Sequence, residues 1–272
     1  ATALREGRDP GTTKDRLYLI YSGGDDLFLA GAWDAVAEAG ATVAESLGKY
    51  AGGNPAIHLS AGLAIVHDKY PVRQAAEDAG EALDEAKALP AGTAADEPAK
   101  NAIAAFGEVV PWATLRRARE LAAKLQQAVR PSARGASGDG SARDDQSPRQ
   151  VIRLALRLCT MEAQAREAIE EREAERAKAR DERGDPPVEE PRDEFRRNRR
   201  ERQVAWGSWM WLGQYALGRM QGRRRDEGAS EEVVRLVRNA TTSPQGMAEL
   251  RIGATWADLA IRKRESRGQG ER

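Results

Sequence analysis

Between Arg130 and Gln150 the chain reads RPSARGASGDGSARDDQSPRQ, with no aliphatic or aromatic residue larger than Ala. Such a stretch has no apolar surface to bury against a core, and its Gly, Ser, Arg and Asp content reads as a flexible linker. It limits what the chain can fold into, because neither flank can run through it as one continuous core. The 272 residues suffice for two ordinary domains. They divide into a strand-bearing part, residues 1–130, a linker, 131–150, and a part with helical patterns only, 151–272.

In the first part, RLYLIY and LFLAGA are short apolar runs around Ser22-Gly23-Gly24-Asp25-Asp26, which reads as a β-hairpin. Both runs are apolar on both faces, so the hairpin is expected to lie centrally in a sheet covered on at least one side. From Trp33 to Tyr50, Trp33, Val36, Ala37, Val43, Ala44 and Leu47 recur at helical spacing, and Gly52-Gly53 ends the pattern. AIHLSAGLAIV (Ala56 to Val66) alternates as a strand should. Pro71 can open the next helix, whose stripe runs from Val72 to Leu89 before Pro90. NAIAAFGEVV reads as a further strand, and Pro111 starts a helix with Trp112, Leu115, Ala118, Ala122, Leu125 and Val129 on one face. This order predicts an α+β domain with a mainly antiparallel sheet.

The second part opens with a long helix from Val151 whose apolar stripe fades after Ile169 into alternating charge. A Pro-rich segment, GDPPVEEPRDEF, interrupts the helical patterns as an exposed loop. WGSWMWLGQY, SEEVVRLVRNATT (with Ser230 as a plausible N-cap) and MAELRIGATWADLAIRKR then carry helical stripes, which predicts a small bundle.

Composition excludes several chemistries. Lys plus Arg and Asp plus Glu are 43 each, so net charge names no partner. The single Cys159 rules out an internal disulfide framework, fits a reducing compartment, and lies in an apolar helical pattern as a buried thiol. With two histidines and one cysteine a classical Cys/His zinc site is not expected. His58 and His67 flank a strand and read as surface histidines. No run approaches the ~20 apolar residues of a membrane helix, and no signal-peptide pattern opens the chain, so a soluble cytoplasmic protein is expected. Trp206 and Trp209 share a helical face and read as core or interface, with base stacking as the alternative. Arg196-Arg197, Arg199-Arg200-Arg202 and Arg223-Arg224-Arg225 make locally positive segments, either solvated and paired with nearby glutamates or placed against RNA phosphates.

The turn carries the sharpest chemistry. Adjacent Asp25 and Asp26 repel each other, and a structural turn would need only one of them. Divalent cations relieve that repulsion and bridge to nucleotide phosphates, while Gly23 and Gly24 leave room for a phosphate or base. Alone, the four residues are equally a polar hairpin turn.

The succession YSGGDDLFLAG, HLSAGLAIV, EALDEAKAL and KNAIAAFG resembles the nucleotide-cyclase palm, the fold shared by diguanylate cyclases and the large subunit of type III CRISPR effector complexes. The Asp-Asp ending, GAWD, KYPVRQAAEDAGEALDEAK, FGEVVPW and the helical tail are similar to the CRISPR branch. The resemblance is specific over about residues 17–130. It implies a partial ferredoxin-like palm, a nucleotide-cyclase-like antiparallel sheet with helices, followed by an all-α bundle. The implied activity is metal-dependent 3′–5′ nucleotidyl transfer that joins ATP into cyclic oligoadenylates when the complex engages target RNA in antiviral defence. The implied cofactor is Mg²⁺ or Mn²⁺, with ATP as substrate. The implied partners are other CRISPR effector subunits, guide RNA and target RNA, with no membrane. Asp25 and Asp26 match the acidic pair that holds the metals, and Gly23 and Gly24 the turn that admits the nucleotide. Lys87 matches a lysine near the triphosphate, and Ser22 stands where it could touch ribose or base. Lys100 is matched less directly, because PAGTAADEP intervenes.

The family's first palm strand and helix, with a further metal-ligating Asp, have no counterpart in ATALREGRDPGTTKDR, where Asp9 and Asp15 are poor substitutes. The expectation is a C-terminal piece of the large subunit, inactive as a synthase by itself. The rival readings are a diguanylate-cyclase-like enzyme and a non-catalytic scaffold that binds RNA and small helical subunits.

Overall fold

The apolar runs around the turn fold as predicted into an antiparallel hairpin, β1 (Leu17–Gly23) and β2 (Asp26–Gly31). A computed structural model of the protein describes residues 16–89, 100–129, 148–183, 207–221 and 228–270. The linker at 131–147, the Pro-rich segment 184–195, and Arg196–Arg202, Trp206 and Arg223–Arg225 lie outside the described residues.

The register of the hairpin slips between Leu19 and Tyr21, which leaves Ile20 as a bulge and interrupts the alternation of faces along β1. Among the described residues β1 and β2 pair only with each other. Tyr18 is 75% exposed, and Leu19, Ile20 and Tyr21 are also exposed. The expected central, covered position is therefore corrected. A strand apolar on both faces needs two covering layers, and pattern alone does not supply them.

The β2 strand leads through Ala32 into α1 (Trp33–Tyr50), whose deepest residues are Ala35, Ala37 and Ala39. The backbone of Arg16 accepts a hydrogen bond from Ala32 N–H at 2.9 Å, and its guanidinium pairs with Asp34 in the first turn of the helix. The predicted strand Ala56 to Val66 shrinks to β3 (Ala61–Gly62), which pairs in parallel with Ile103 and Ala104. Ile57 and Ile65 are exposed, so the alternating sequence describes an edge segment with one short ladder.

Helix α2 (Val72–Lys87) ends at the predicted place and packs through Ala82, Ala86 and Leu89 on Ala102, Ala104 and Val109. Val72, predicted on its inner stripe, is exposed. NAIAAFGEVV is two strands, β4 (Ala102–Ala105) and β5 (Glu108–Pro111), which corrects the single strand expected. The chain reverses at Phe106 (φ 56) and Gly107 (φ 78), and positive φ at both loop positions is the pattern of a type I′ turn. Phe106 is a poor residue for that conformation on its own. Its ring meets Trp33 edge-on, with centroids 6.1 Å apart, and that packing offsets the strain. Helix α3 (Trp112–Val129) follows, and Trp112 donates from Nε1 to Leu59 O at 2.8 Å.

Helices only remain: α4 (Pro148–Asp181), α5 (Ser208–Gln221), α6 (Gly228–Ala240) and α7 (Pro244–Gly270). Their shared core includes Ile152, Leu158, Trp209, Val237, Leu250 and Ile252. Cys159 is buried and free of disulfide, as its helical pattern predicted. Ser230 falls within the first turn of α6 rather than before it. The far part of α4, past Ile169, is mostly exposed, in line with the fading of its stripe.

The architecture is thus α+β, with seven helices and two small sheets among the described residues and a helical C-terminal part. The chain divides into two units, Ala1–Arg119 and Glu120–Arg272, and the division falls inside α3.

Candidate active site at the Gly-Gly-Asp-Asp turn

Gly23 pairs with Asp26, so the loop proper is Gly24-Asp25. Gly24 has φ 61, and Asp25 is not among the positive-φ residues. Positive φ at the first loop position alone matches a type II′ turn, whose first position is Gly for steric reasons. No heavy atom lies within 4 Å of where a Gly24 Cβ would be, so open space flanks the turn. At Gly23 the end of the Tyr21 side chain takes that place, with its phenolic oxygen 2.6 Å from the Cβ position.

Asp25 and Asp26 are both exposed at the tip. Asp25 closes the loop and Asp26 opens β2, so two exposed carboxylates stand on adjacent residues at the end of the hairpin. The acidic donors suit a hard cation such as Mg²⁺, which takes one or two carboxylates and completes its shell with water and phosphate oxygens. Among the described residues no group of three or more His, Cys, Asp or Glu is placed to hold a metal. The fit is therefore that of a two-carboxylate site.

Ser22 pairs with Leu27 beside the turn and is exposed. Lys87 is the last residue of α2 and is also exposed. Ser22, Gly23, Gly24, Asp25 and Asp26 are consecutive around the turn, and no hydrogen bond or ion pair between Lys87 and these residues is found among the described residues. Lys100 adopts φ 69, and its N–H donates to Leu89 O at 3.2 Å. The histidines have local roles. His58 Nδ1 lies 3.3 Å from Pro55 O, while His67 Nδ1 accepts the Lys69 N–H and its ring meets Tyr70 edge-on at 5.5 Å.

Two features escaped the sequence reading. Gly62, in HLSAGLAIV, sits where a Cβ would be 2.2 Å from Ala79 O and 2.3 Å from Leu83 N. It is the point at which α2 crosses the sheet, backbone against backbone. The signal was the Gly itself, inside an otherwise good strand pattern. The second is a cavity of about 390 Å³ between the end of α1, the loop after it and the start of α3, lined in part by Glu45, Asn54, His58, Trp112 and Arg116. Lys49, hydrogen-bonded to Glu45 at 2.8 Å, holds the Glu45 carboxyl below the usual carboxylate range, with Arg116 and Arg119 adding to the effect. Its lining comes from segments far apart in the chain, so no motif could announce it.

Residues 4–104 match the family model described as Cas10/Cmr2, second palm domain. A protein of Mycobacterium tuberculosis named CRISPR system single-strand-specific deoxyribonuclease Cas10/Csm1 (subtype III-A) is 38% identical over 100 residues, which is 37% of this chain and 11% of the relative. Its namesake in Methanocaldococcus jannaschii is 42% identical over 74 residues, 27% of this chain and 9% of the relative. Another in Enterococcus italicus is 39% identical over 72 residues, 26% of this chain and 9% of the relative. The match thus spans about a tenth of the length of these relatives. The family match, residues 4–104, includes the turn, both strands around it, α1, β3 and α2. Residues 4–104 of this chain are accordingly similar to the Cas10/Cmr2 second palm domain, and the likeness to Cas10/Csm1 proteins supports the palm domain of a type III CRISPR large subunit.

Proposed function

We propose that the Gly-Gly-Asp-Asp turn is the metal- and nucleotide-holding part of a cyclic oligoadenylate synthase, working within the large subunit of a type III CRISPR effector complex. The observation that carries the proposal is the pair of exposed, adjacent carboxylates on a two-residue turn with open space at Gly24. In this reading the other effector subunits and the guide and target RNA are partners, and the complex acts in antiviral defence. The similarity of residues 4–104 to Cas10/Csm1 proteins supports this over a diguanylate-cyclase-like enzyme.

Asp25 and Asp26 would hold Mg²⁺ or Mn²⁺, which would neutralise triphosphate charge while a ribose 3′-hydroxyl bonds to an α-phosphate, losing its proton to solvent, and the α–β bond breaks to release pyrophosphate. The chain's own residues prepare that encounter. The two carboxylates fix where positive charge can gather at the tip of the hairpin. Gly24 lets the phosphates approach the backbone, since no side chain stands in the way. The type II′ turn holds both Asp residues on one short ladder end, so their separation does not depend on a mobile loop. Ser22 Oγ, exposed beside the turn, is a donor for a ribose hydroxyl or base edge. Lys87 would bring its ammonium to the triphosphate if α2 closes towards the turn.

The test is Mg²⁺-dependent ATP binding, measured by calorimetry on the whole chain and on Asp25→Ala/Asp26→Ala. Loss of metal ligands should weaken binding at least about tenfold, because even groups that only support ligands contribute that much. Equal binding by the two proteins would sink the assignment and leave the scaffold reading.

A further inference from the structure

The cavity of about 390 Å³ at the end of α1 lies within the N-terminal unit, and no residue of the Gly-Gly-Asp-Asp turn lines it. Its volume falls in the range of small-molecule sites. One wall is an indole held in place by the fold. Trp112 donates from Nε1 to Leu59 O at 2.8 Å, and its Cη2 lies 3.8 Å from where a Gly40 Cβ would be. The ring is therefore fixed before any ligand arrives. Another part of the wall is a glycine, Gly48, near the end of α1. Glycine weakens a helix relative to alanine, and no heavy atom lies within 4 Å of where the Gly48 Cβ would be. Packing among the described residues does not call for a glycine there. What its missing side chain leaves is room in the cavity.

The charges around the cavity select the ligand. Glu45 pairs with Lys49 at 2.8 Å, and Arg119 pairs with Glu38, so both are already answered. Arg116 also lines the cavity, and no ion pair or hydrogen bond to it is found among the described residues. Its fork of N–H donors is the surplus positive charge, and it matches a phosphate. Asn54 accepts the Ala56 N–H at 3.0 Å through Oδ1, which leaves its amide nitrogen to donate. Glu45, an acceptor only, can take hydroxyl groups. A flat ring for the indole, hydroxyls for Glu45 and one phosphate for Arg116 together make a nucleoside monophosphate. A bare phosphate would leave the apolar wall of Leu47, Leu59 and Trp112 uncovered. An uncharged nucleoside would leave Arg116 unanswered. The volume lies near the lower end of the usual range, which suits one nucleotide rather than a chain of them.

We propose that this cavity binds a free nucleoside monophosphate, with its base on the Trp112 indole and its phosphate at Arg116. The site is separate from the Gly-Gly-Asp-Asp turn and does not rest on the chemistry assigned there. Calorimetric titration of the whole chain with AMP, GMP, CMP and UMP in the presence of EDTA tests it, with inorganic phosphate and the matching nucleosides alongside. At least one nucleotide should bind, at least about tenfold more tightly than inorganic phosphate or its own nucleoside. Arg116→Gln should lose at least about tenfold in that affinity, the worth of a charge-assisted hydrogen bond. Gly48→Leu should lose at least about tenfold as well, because its side chain takes up the room in the cavity. Its melting temperature should equal or exceed that of wild type, since leucine is the better helix former. Gly80→Leu, at a glycine of α2 with equally open surroundings that does not line the cavity, should bind as wild type does. Asp25→Ala/Asp26→Ala should also keep its nucleotide monophosphate binding, even where it loses Mg²⁺-dependent ATP binding, so the two sites can fail separately. Arg116 and Gly48 are both exposed, and an unchanged melting temperature confirms that Arg116→Gln is folded. Absence of binding by all four nucleotides would overturn the proposal. So would unchanged affinity in Arg116→Gln or Gly48→Leu, inorganic phosphate binding as tightly as the nucleotide, or loss of binding in the Asp25/Asp26 variant.

Discussion

Glu162 shows how much a single residue can ask of its neighbours. Its side chain is 1% exposed, and its two oxygens accept from Arg166 (Nη2 at 2.6 Å) and Arg251 (Nη2 at 2.9 Å). Arg251 also donates to the backbone oxygen of Cys159 at 2.8 Å, so it ties α7 to α4 twice. A carboxylate taken out of water is tolerated only while both partners remain. Glu162→Gln keeps the shape and removes the charge, leaving Arg251 facing a neutral amide. Its expected cost is about 3 kcal/mol of unfolding free energy, read from urea denaturation of the two proteins. A change within error would show that the pair is neutral here. The position was invisible in the sequence, because Glu162 stands in LCTMEAQ as one more acid on a charged helix. Asp25 and Asp26 are the opposite case. Their neighbours in sequence, Gly23 and Gly24, already stated that the turn was tight, and the structure leaves open space at Gly24 while the Tyr21 side chain fills the place beside Gly23.

At the scale of elements, helices were legible and strands were less so. Trp33–Tyr50, Val72–Lys87 and Trp112–Val129 lie where the 3.6-residue period put them, because helical hydrogen bonds are local and need no partner segment. A strand is completed only by another strand. Ala56 to Val66 alternates well, yet just Ala61 and Gly62 find a ladder partner. The hairpin at Phe106-Gly107 was missed because Phe rarely adopts positive φ, and only the contact with Trp33 explains why it does here. Gly62 is the element-scale counterpart. A methyl group there would run into the backbone of α2 at Ala79 and Leu83, and backbone in a helix cannot step aside. Gly62→Ala is expected to destabilise the N-terminal unit by about 3 kcal/mol, at the upper end of usual overpacking costs. Thermal melting followed by circular dichroism reads it, and a melting temperature equal to wild type would show that α2 does not press on the sheet as described.

For the whole molecule, Ala1–Arg119 and Glu120–Arg272 form separate units. No helix among the described residues is long and apolar enough to cross a membrane. The N-terminal unit presents two carboxylates at the turn and assembles no third acidic or nitrogen ligand around them among the described residues. In the proposed reading, which calls for a further metal-ligating Asp beside the pair, the chain by itself is expected to make no oligoadenylate when incubated with ATP and Mg²⁺ or Mn²⁺. Chromatography of radiolabelled ATP after incubation measures this, and a detectable cyclic or linear product would mean that two carboxylates suffice. The hairpin tells the same story at this scale. Its apolar strands expose Tyr18, Leu19, Ile20 and Tyr21, a surface whose cover is not found among the described residues.

The sequence by itself determined the features that depend on near neighbours: the helical periods, the hairpin turn with its paired carboxylates, the buried setting of Cys159, and the succession of motifs that resembles a palm. These are written in residues a few positions apart, where backbone sterics and helical spacing act directly. Tertiary structure alone decided which strands have partners, that Gly62 is a contact between backbones, that Glu162 is held by two arginines, and that Trp209 faces inward while Trp211 and Tyr215 face water. Each of those depends on what another segment, distant in sequence, brings to within a few ångströms, and burial and pairing are properties of that meeting rather than of either segment alone.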